Sequence, residues 1–192
     1  MAHLVKDHAE DQLMTYKELL HMILLLLAAG TETTVAAIGN TIVCLLRHPE
    51  AIAAARKDLS LVSAIVDESI RWQPPLSTTL RFASRDVEID GVRIQKGQPI
   101  QLCLASTNRD ERHYDRADEW DPSRHQEGSL SFGAGRHGCP GFLLAHREIE
   151  IVVHALLTRF SSFEPADHEI PYIQGRIFRR PRSLILRLRK AS

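Results

Sequence analysis

The chain has 192 residues, 44% hydrophobic and 25% charged, a balance that suits one globular domain with a core of its own. Its 24 Lys and Arg offset 24 Asp and Glu, so no surplus of positive charge draws it to nucleic acid. Three cysteines, Cys44, Cys103 and Cys139, form an odd set without metal-type pairing, which excludes a disulfide framework and points to a reducing cytoplasm.

In chain order, the polar stretch from Met1 to Lys17 reads as no signal peptide. Thr15 is a helix cap with Glu18 three residues on, and it opens a helix expected over Tyr16 to Arg47, where His48-Pro49 stops it. At about 1.5 Å per residue that helix is roughly 48 Å long and crosses a whole domain. Its run Met22 to Ala29 is apolar on nearly every side, as in a helix surrounded by protein, and is too short to span a bilayer before Glu32 and its threonines interrupt it. Helices follow at Pro49 to Lys57 and at Leu61 to Trp72, the second closed by Pro74-Pro75. Strands are expected at Thr79 to Ala83, in a hairpin Val87 to Ile94 turning at Asp90-Gly91, and at Ile100 to Leu104. Gly141 to Phe160 reads as a helix, and Ser183 to Leu188 alternates as an edge strand does.

The most informative stretch is Ser131-Phe132-Gly133-Ala134-Gly135-Arg136-His137-Gly138-Cys139-Pro140-Gly141. Glycines at 133, 135, 138 and 141 permit unusual backbone conformations and let the main chain lie against a flat macrocycle, while the helix that follows offers its positive end to an anionic sulfur. A single cysteine so placed can offer its thiolate to a haem iron. The pattern Phe-Gly-x-Gly-x-His-x-Cys-x-Gly arises by chance on the order of 10⁻⁶ times per chain of this length.

This loop resembles the haem-binding loop of the cytochrome P-450 family, the haem-thiolate monooxygenases. Three other segments are similar to family motifs in the same order. Ala29-Gly30-Thr31-Glu32-Thr33-Thr34 resembles the oxygen-activating motif of the long central helix, Glu68-Ser69-Ile70-Arg71 the Glu-x-x-Arg pair, and Asn108 to Arg124 the irregular meander. The resemblance spans Lys17 to about Leu188 and implies the carboxy-terminal half of the fold: mainly α with a small antiparallel β-sheet, a single haem-binding domain over 1–192 that lacks the amino-terminal half. The long helix then cannot be covered on every side, so a homo-oligomer or a complementary chain is expected to shield it.

The resemblance also assigns roles. It makes Cys139 the ligand of haem b, iron protoporphyrin IX, in a cradle of Phe132, Gly133, His137 and Gly141. His137 and Arg81 match partners of the haem propionates. Glu32 and Thr33 match the acid and alcohol of a proton relay, with Gly30 leaving room beside the helix and Thr33 able to bond back to a helix carbonyl and open the local ladder. Glu68 and Arg71, three apart on one helix face, match a buried support pair joined by a meander arginine, either Arg109 or Arg124. Leu25, Ala28, Ala29, Ser77, Thr78 and Ile177 match the substrate pocket, although core packing explains Leu25 and Ala28 equally well. Arg136, His146 and Arg147 are candidates for a cationic patch where an acidic electron carrier docks. Pro140 has no N–H to turn toward the sulfur, which leaves the thiolate richer in charge and lowers the iron's reduction potential.

The function so implied is a cytoplasmic, membrane-free monooxygenase that takes electrons from a ferredoxin-like partner and inserts one oxygen atom into an apolar small molecule. The alternative from another class is a half-length protein that binds haem without oxygenating, or binds none, and works by association.

Overall fold

A computed structural model describes residues 14–124 and 128–191, so the expectation of no signal peptide concerns residues that lie mostly outside the described part. Helix α1, Tyr16–Arg47, begins where the sequence places it: Glu18 N donates to Thr15 Oγ1 (3.3 Å) and Thr15 N donates to Glu18 Oε2 (2.7 Å), a reciprocal capping box. It ends at His48, and Pro49 starts α2, Pro49–Lys57, at a position where a missing N–H costs nothing. Helix α3, Leu61–Trp72, ends one residue before Gln73-Pro74.

Among the described residues the small antiparallel sheet expected from the sequence is divided into four two-stranded antiparallel sheets. Strand β1 (Thr79–Phe82) pairs with β4 (Pro99–Leu102), and β2 (Val87–Ile89) with β3 (Val92–Ile94). The β2–β3 turn holds Asp90 at φ 50° and Gly91 at φ 76°, the left-handed pair that an Asp-Gly hairpin requires. Where a strand was expected to run on to Leu104, a single helical turn, α4 (Leu104–Thr107), begins instead. Helix α5, Phe142–Arg159, follows the cysteine loop. At Phe160 the chain becomes strand β5 (Phe160–Pro165) and pairs with β8 (Leu186–Lys190), so the tail strand lies a few residues later than its alternation suggested. Between them β6 (Ile173–Gln174) pairs with β7 (Arg180–Pro181), and the intervening turn carries Ile177.

The core lies where α1, α2, α3 and α5 meet, with Ala37, Cys44, Leu45, Val62, Ile65, Val66, Ile70, Ile149, Val153 and Leu157 buried together. Trp120 of the meander and Phe163 of β5 close it, and Phe132 of the cysteine loop packs on its margin. Burial pushes the Cys44 thiol up to about 12, so it serves as a small apolar side chain and not as a nucleophile.

Helix α1 divides into two halves. From Thr34 to Leu45 it is largely buried, whereas Leu24, Leu25, Leu26 and Leu27, which point in four successive directions, are all 40–61% exposed. By length and composition alone α1 is apolar enough to cross a membrane, which departs from the reading of Met22 to Ala29 as too short. The same composition marks a helix meant for a protein interior, and the buried half of α1 is core of that kind.

Candidate functional site

The cysteine loop is built on two reversals. Gly133 (φ 71°) and Gly135 (φ 63°) occupy left-handed conformations, and a Cβ at Gly133 would stand 3.2 Å from His137 O. The other two glycines differ from expectation. Gly138 and Gly141 have negative φ, and what Gly138 supplies is space, since a Cβ there would meet Gly135 O at 3.2 Å. A short 3-10 turn, Gly135–His137, closes with Gly138 N donating to Gly135 O (2.9 Å), and Cys139 N donates back to Phe132 O (2.8 Å). Phe132 meets Phe142 edge to face at 5.3 Å, clamping the loop to the start of α5.

This clamp leaves Cys139 exposed and unpaired, its sulfur 4.0 Å from where a Gly141 Cβ would be. Gly141 caps α5 without a side-chain hydrogen bond, so the sulfur sits at an uncovered helix N-terminus whose partial positive charge favours a thiolate. All three cysteines are free. Among the described residues no cluster of three metal-ligating side chains exists, and Cys139 offers a lone sulfur as donor. One accessible thiol, a glycine-lined approach and a helix N-terminus behind it fit an iron porphyrin and fit no caged metal ion.

Behind the loop stands a buried polar network. Arg71 and Glu68, both fully buried, join through two 2.7 Å bonds. Arg71 gives its other three N–H groups to the carbonyls of Asn108 (2.7 Å), Ala117 (2.9 Å) and Glu119 (2.9 Å), so all five donors are used. Glu68 Oε1 also accepts from Asp121 N (2.8 Å) and lies 3.4 Å from Arg124 Nε. The meander arginine is therefore Arg124. Arg109 instead pairs with Asp118 (2.9 Å) and donates to Trp72 O (2.8 Å).

Two residues that the sequence reading missed carry this network to the cysteine loop. Asn108 Nδ2 donates to Ser131 Oγ (2.7 Å), Asn108 Oδ1 accepts from Leu130 N (2.9 Å), and Ser131 Oγ donates to Ile70 O (2.9 Å). The sequence alone carries no sign of this link, since the burial of Asn108 appears only once the meander has packed.

On α1, Thr33 Oγ1 donates to Ala29 O (2.7 Å) as expected, and Thr31 does the same to Leu27 O (2.7 Å). The expected opening of the ladder does not occur, because α1 runs unbroken past both residues. Glu32 lies 3.9 Å from Arg180, and a Cβ on Gly30 would meet nothing within 4 Å.

The pocket candidates separate into two groups. Leu25, Ala28 and Ala29 are exposed on α1. Ser77 is buried and pins the tail turn, with its N donating to Ile177 O (2.9 Å) and its Oγ to Arg176 O (2.5 Å), so its hydroxyl is a positioning group and not a wall; Thr78 is half-buried beside it and Ile177 is exposed. Asn40 brings this turn onto α1 by donating to Arg179 O and Gln73 O (both 3.0 Å). Arg81 folds onto its own strand, donating to Thr79 Oγ1 (3.1 Å) and Leu80 O (2.9 Å), while His137 is exposed in the loop.

The expected cationic patch is largely neutralised. His146 Nε2 lies 2.9 Å from Asp67 Oδ1, and Arg147 pairs with Glu150 at 2.9 Å, leaving Arg136 without a carboxylate among the described residues.

Comparison with known proteins places this arrangement. The family model for cytochrome P450 matches residues 1–188. The chain is 39% identical over 169 residues to the biotin biosynthesis cytochrome P450 of Bacillus subtilis (strain 168), covering 88% of this chain and 42% of that protein. It is 31% identical over 189 residues to the cyclomarin C epoxidase CymV of Salinispora arenicola, covering 98% and 48%. Among solved structures, cytochrome P450 CYP109Q5 from Chondromyces apiculatus superposes with a TM-score of 0.87 at 38% identity, over 93% of this chain and 46% of that one. P450BioI, solved in complex with a hexadec-9Z-enoic acid-ligated acyl carrier protein, gives 0.87 at 32% identity over 96% and 51%. The chain thus spans about half the length of the relatives it matches. A thiol-bearing loop braced by a buried Glu-Arg pair, matched by a family model over nearly every residue, shows that this chain belongs to the cytochrome P450 family.

Proposed function

We propose that this chain is the haem-thiolate portion of a monooxygenase that oxidises an apolar small molecule with electrons from a ferredoxin-like donor. The observation that carries the reading is the accessible Cys139 thiol at the N-terminus of α5, held in a loop that the Glu68–Arg71–Asn108 network braces. Haem b, when bound, supplies an iron that activates dioxygen using two electrons from a partner. Cys139 would hold that iron through its thiolate. Phe132, Gly133 and Gly141 shape the surface beside the sulfur, and His137 and Arg81 hold the propionates by charge-assisted bonds, Arg81 by releasing Leu80 O.

On the opposite face Glu32 and Thr33 handle protons. Thr33 Oγ1 gives its hydrogen to Ala29 O and so presents its lone pairs as an acceptor, while Glu32, 47% exposed and 3.9 Å from Arg180, is open to water and can relay protons from it. Leu25, Ala28, Ala29, Thr78 and Ile177 contribute apolar or small surface toward the substrate. Because relatives extend to about twice this length, the remaining pocket walls come from a complementary amino-terminal segment or a second copy that covers the exposed half of α1. The family neighbours include one solved in complex with a fatty-acyl-ligated carrier protein, and an apolar chain of that kind is a ligand class that the apolar and small side chains of α1 suit. The cytoplasm is the compartment in which three unpaired thiols persist.

The test is the spectrum of the haem-loaded chain. Reduction under carbon monoxide gives the red-shifted Soret band of a thiolate-bound haem in the wild type, and Cys139→Ser abolishes it. A haem complex with an unshifted band, identical in Cys139→Ser, overturns the reading.

A further inference from the structure

Away from Cys139, the carboxy-terminal ends of α1 and α3 meet the start of the meander and the approach to β7 around an open cavity of about 530 Å³. Arg47, Arg109 and Arg179 all line it, with Trp72, Gln73 and Ser106, and no carboxylate among the described residues does so. Arg109 has its counter-ion in Asp118, at 2.9 Å, and its guanidinium covers the Trp72 ring at 4.9 Å. Arg47 and Arg179 have no carboxylate partner among the described residues. Arg47 makes one long bond, 3.4 Å, to Pro171 O and lies 5.9 Å from the Tyr172 ring centre, and Arg179 makes one of 3.4 Å to Gln73 Oε1. Both are half-buried, and most of their donors are left over.

A half-buried guanidinium without a counter-ion has lost hydration that the single long bonds of Arg47 and Arg179 among the described residues restore only in part. The C-terminus of α1 accounts for a cation at Arg47, but a helix end carries only about half an elementary charge, and two unpaired cations share this cavity. Guanidinium forks that line one cavity from two elements match the oxygens of a phosphate bidentately, and a dianion balances both cations at once. We propose that the cavity binds a phosphate-type dianion between Arg47 and Arg179, with the Ser106 hydroxyl as a further donor. The free ion and a phosphomonoester share this chemistry, and the volume falls within the range of small-molecule pockets.

Such a ligand acts on the tail turn. Arg179 N donates to Pro75 O (2.8 Å), Arg179 O accepts from Asn40 of α1 (3.0 Å), and two residues earlier Ile177 O accepts from Ser77 N (2.9 Å). Fixing the Arg179 side chain therefore restrains the turn that carries Ile177. None of these residues touches the cysteine loop, so the proposal is tested on the haem-free chain and stands or falls independently of the haem assignment.

The experiment is calorimetric titration with sodium phosphate and, separately, glycerol 3-phosphate at constant ionic strength, with amide hydrogen exchange followed in the same samples. The expected result is saturable one-site binding with a dissociation constant below about 1 mM, weakened roughly tenfold or more in Arg47→Gln and in Arg179→Gln, and slower exchange at Ser77 and Arg179. Tighter binding of glycerol 3-phosphate assigns the site to a phosphomonoester, and equal binding assigns it to the free ion. Should Arg179→Gln fail to fold, Arg47→Gln, checked by circular dichroism, decides alone, because the Arg47 side chain makes just one long hydrogen bond among the described residues. Absence of saturable binding by both probes, or affinity unchanged in Arg47→Gln, overturns the proposal.

Discussion

At the scale of single residues, Arg71 is the side chain with most at stake, since its whole guanidinium is committed: two donors to Glu68 and three to meander carbonyls, with no exposure to water. Arg71→Ala leaves a buried carboxylate and three orphaned carbonyls, a loss of about 3–5 kcal/mol that is a large part of a domain's stability. Urea unfolding of the variant is expected to show that loss. Arg71→Lys recovers the charge without the fork and restores little of it. A variant as stable as the wild type would mean that the pair is incidental. Pro140 sets a second expectation, since it follows the sulfur directly and brings no N–H to it. In the haem-loaded chain, Pro140→Ala adds a donor within reach of the thiolate and raises the reduction potential. Potentiometric titration that finds the potential unchanged or lowered removes proline from the account of the thiolate's charge.

At the scale of elements, the α3–α5 contact carries a titratable clasp. The bond to Asp67 raises the His146 pKa above its ordinary 6.5, partly opposed by burial, and Glu150 stands 3.6 Å from the other ring nitrogen. Because the folded value lies above the unfolded one, the stabilisation is fully present below about pH 6.5 and is lost as pH rises through the folded pKa. The thermal midpoint of the wild type therefore exceeds that of His146→Gln by a margin that shrinks as pH rises from about 5.5 to about 8.5; a constant margin argues that only packing is at work. The link between α3 and the cysteine loop is carried by Asn108, and Asn108→Ala strands Leu130 N and Ser131 Oγ at a cost of about 1–3 kcal/mol. Faster haem loss from that variant, with the fold intact by circular dichroism, is the expected result.

These element contacts also show what was readable in advance. The bounds of α1, α2 and α3 follow from local chemistry, a capping box and three prolines, and the structure keeps each of them. The Asp90-Gly91 hairpin was equally local. Strand β5 was hidden because Phe160-Ser161-Ser162-Phe163 has no regular alternation, and a register shift between Phe160 and Ser162 accommodates it. Strands β6 and β7, two residues each, carry no period at all. The Asn108–Ser131 link joins residues 23 apart in sequence, and His146–Asp67 joins residues 79 apart, so both exist only after packing. The cysteine loop was legible because its glycines and sulfur act within one short segment.

At the scale of the whole molecule, the amino-terminal half of α1 stands clear of the chain's own core. Four consecutive leucines, Leu24 to Leu27, sweep around the helix and each is at least 40% exposed, so no rotation of α1 against the core could cover them together. Burying such a side chain is worth about 1.5–3 kcal/mol, which makes this segment the strongest drive for association that the chain displays. Sedimentation of the isolated chain is expected to show concentration-dependent assemblies that Leu25→Lys together with Leu26→Lys disperses. Unfolding of the monomer should shift by no more than about 0.5 kcal/mol, because these side chains make little contact with the core. A wild-type chain that sediments as a monomer at high concentration, or a double variant that unfolds far more easily, contradicts the picture of an uncovered helix. In the proposed function the same surface connects assembly to chemistry, since Glu32 and Thr33 lie one to two turns beyond these leucines on α1 and would gain a dry environment only when that half of the helix is covered.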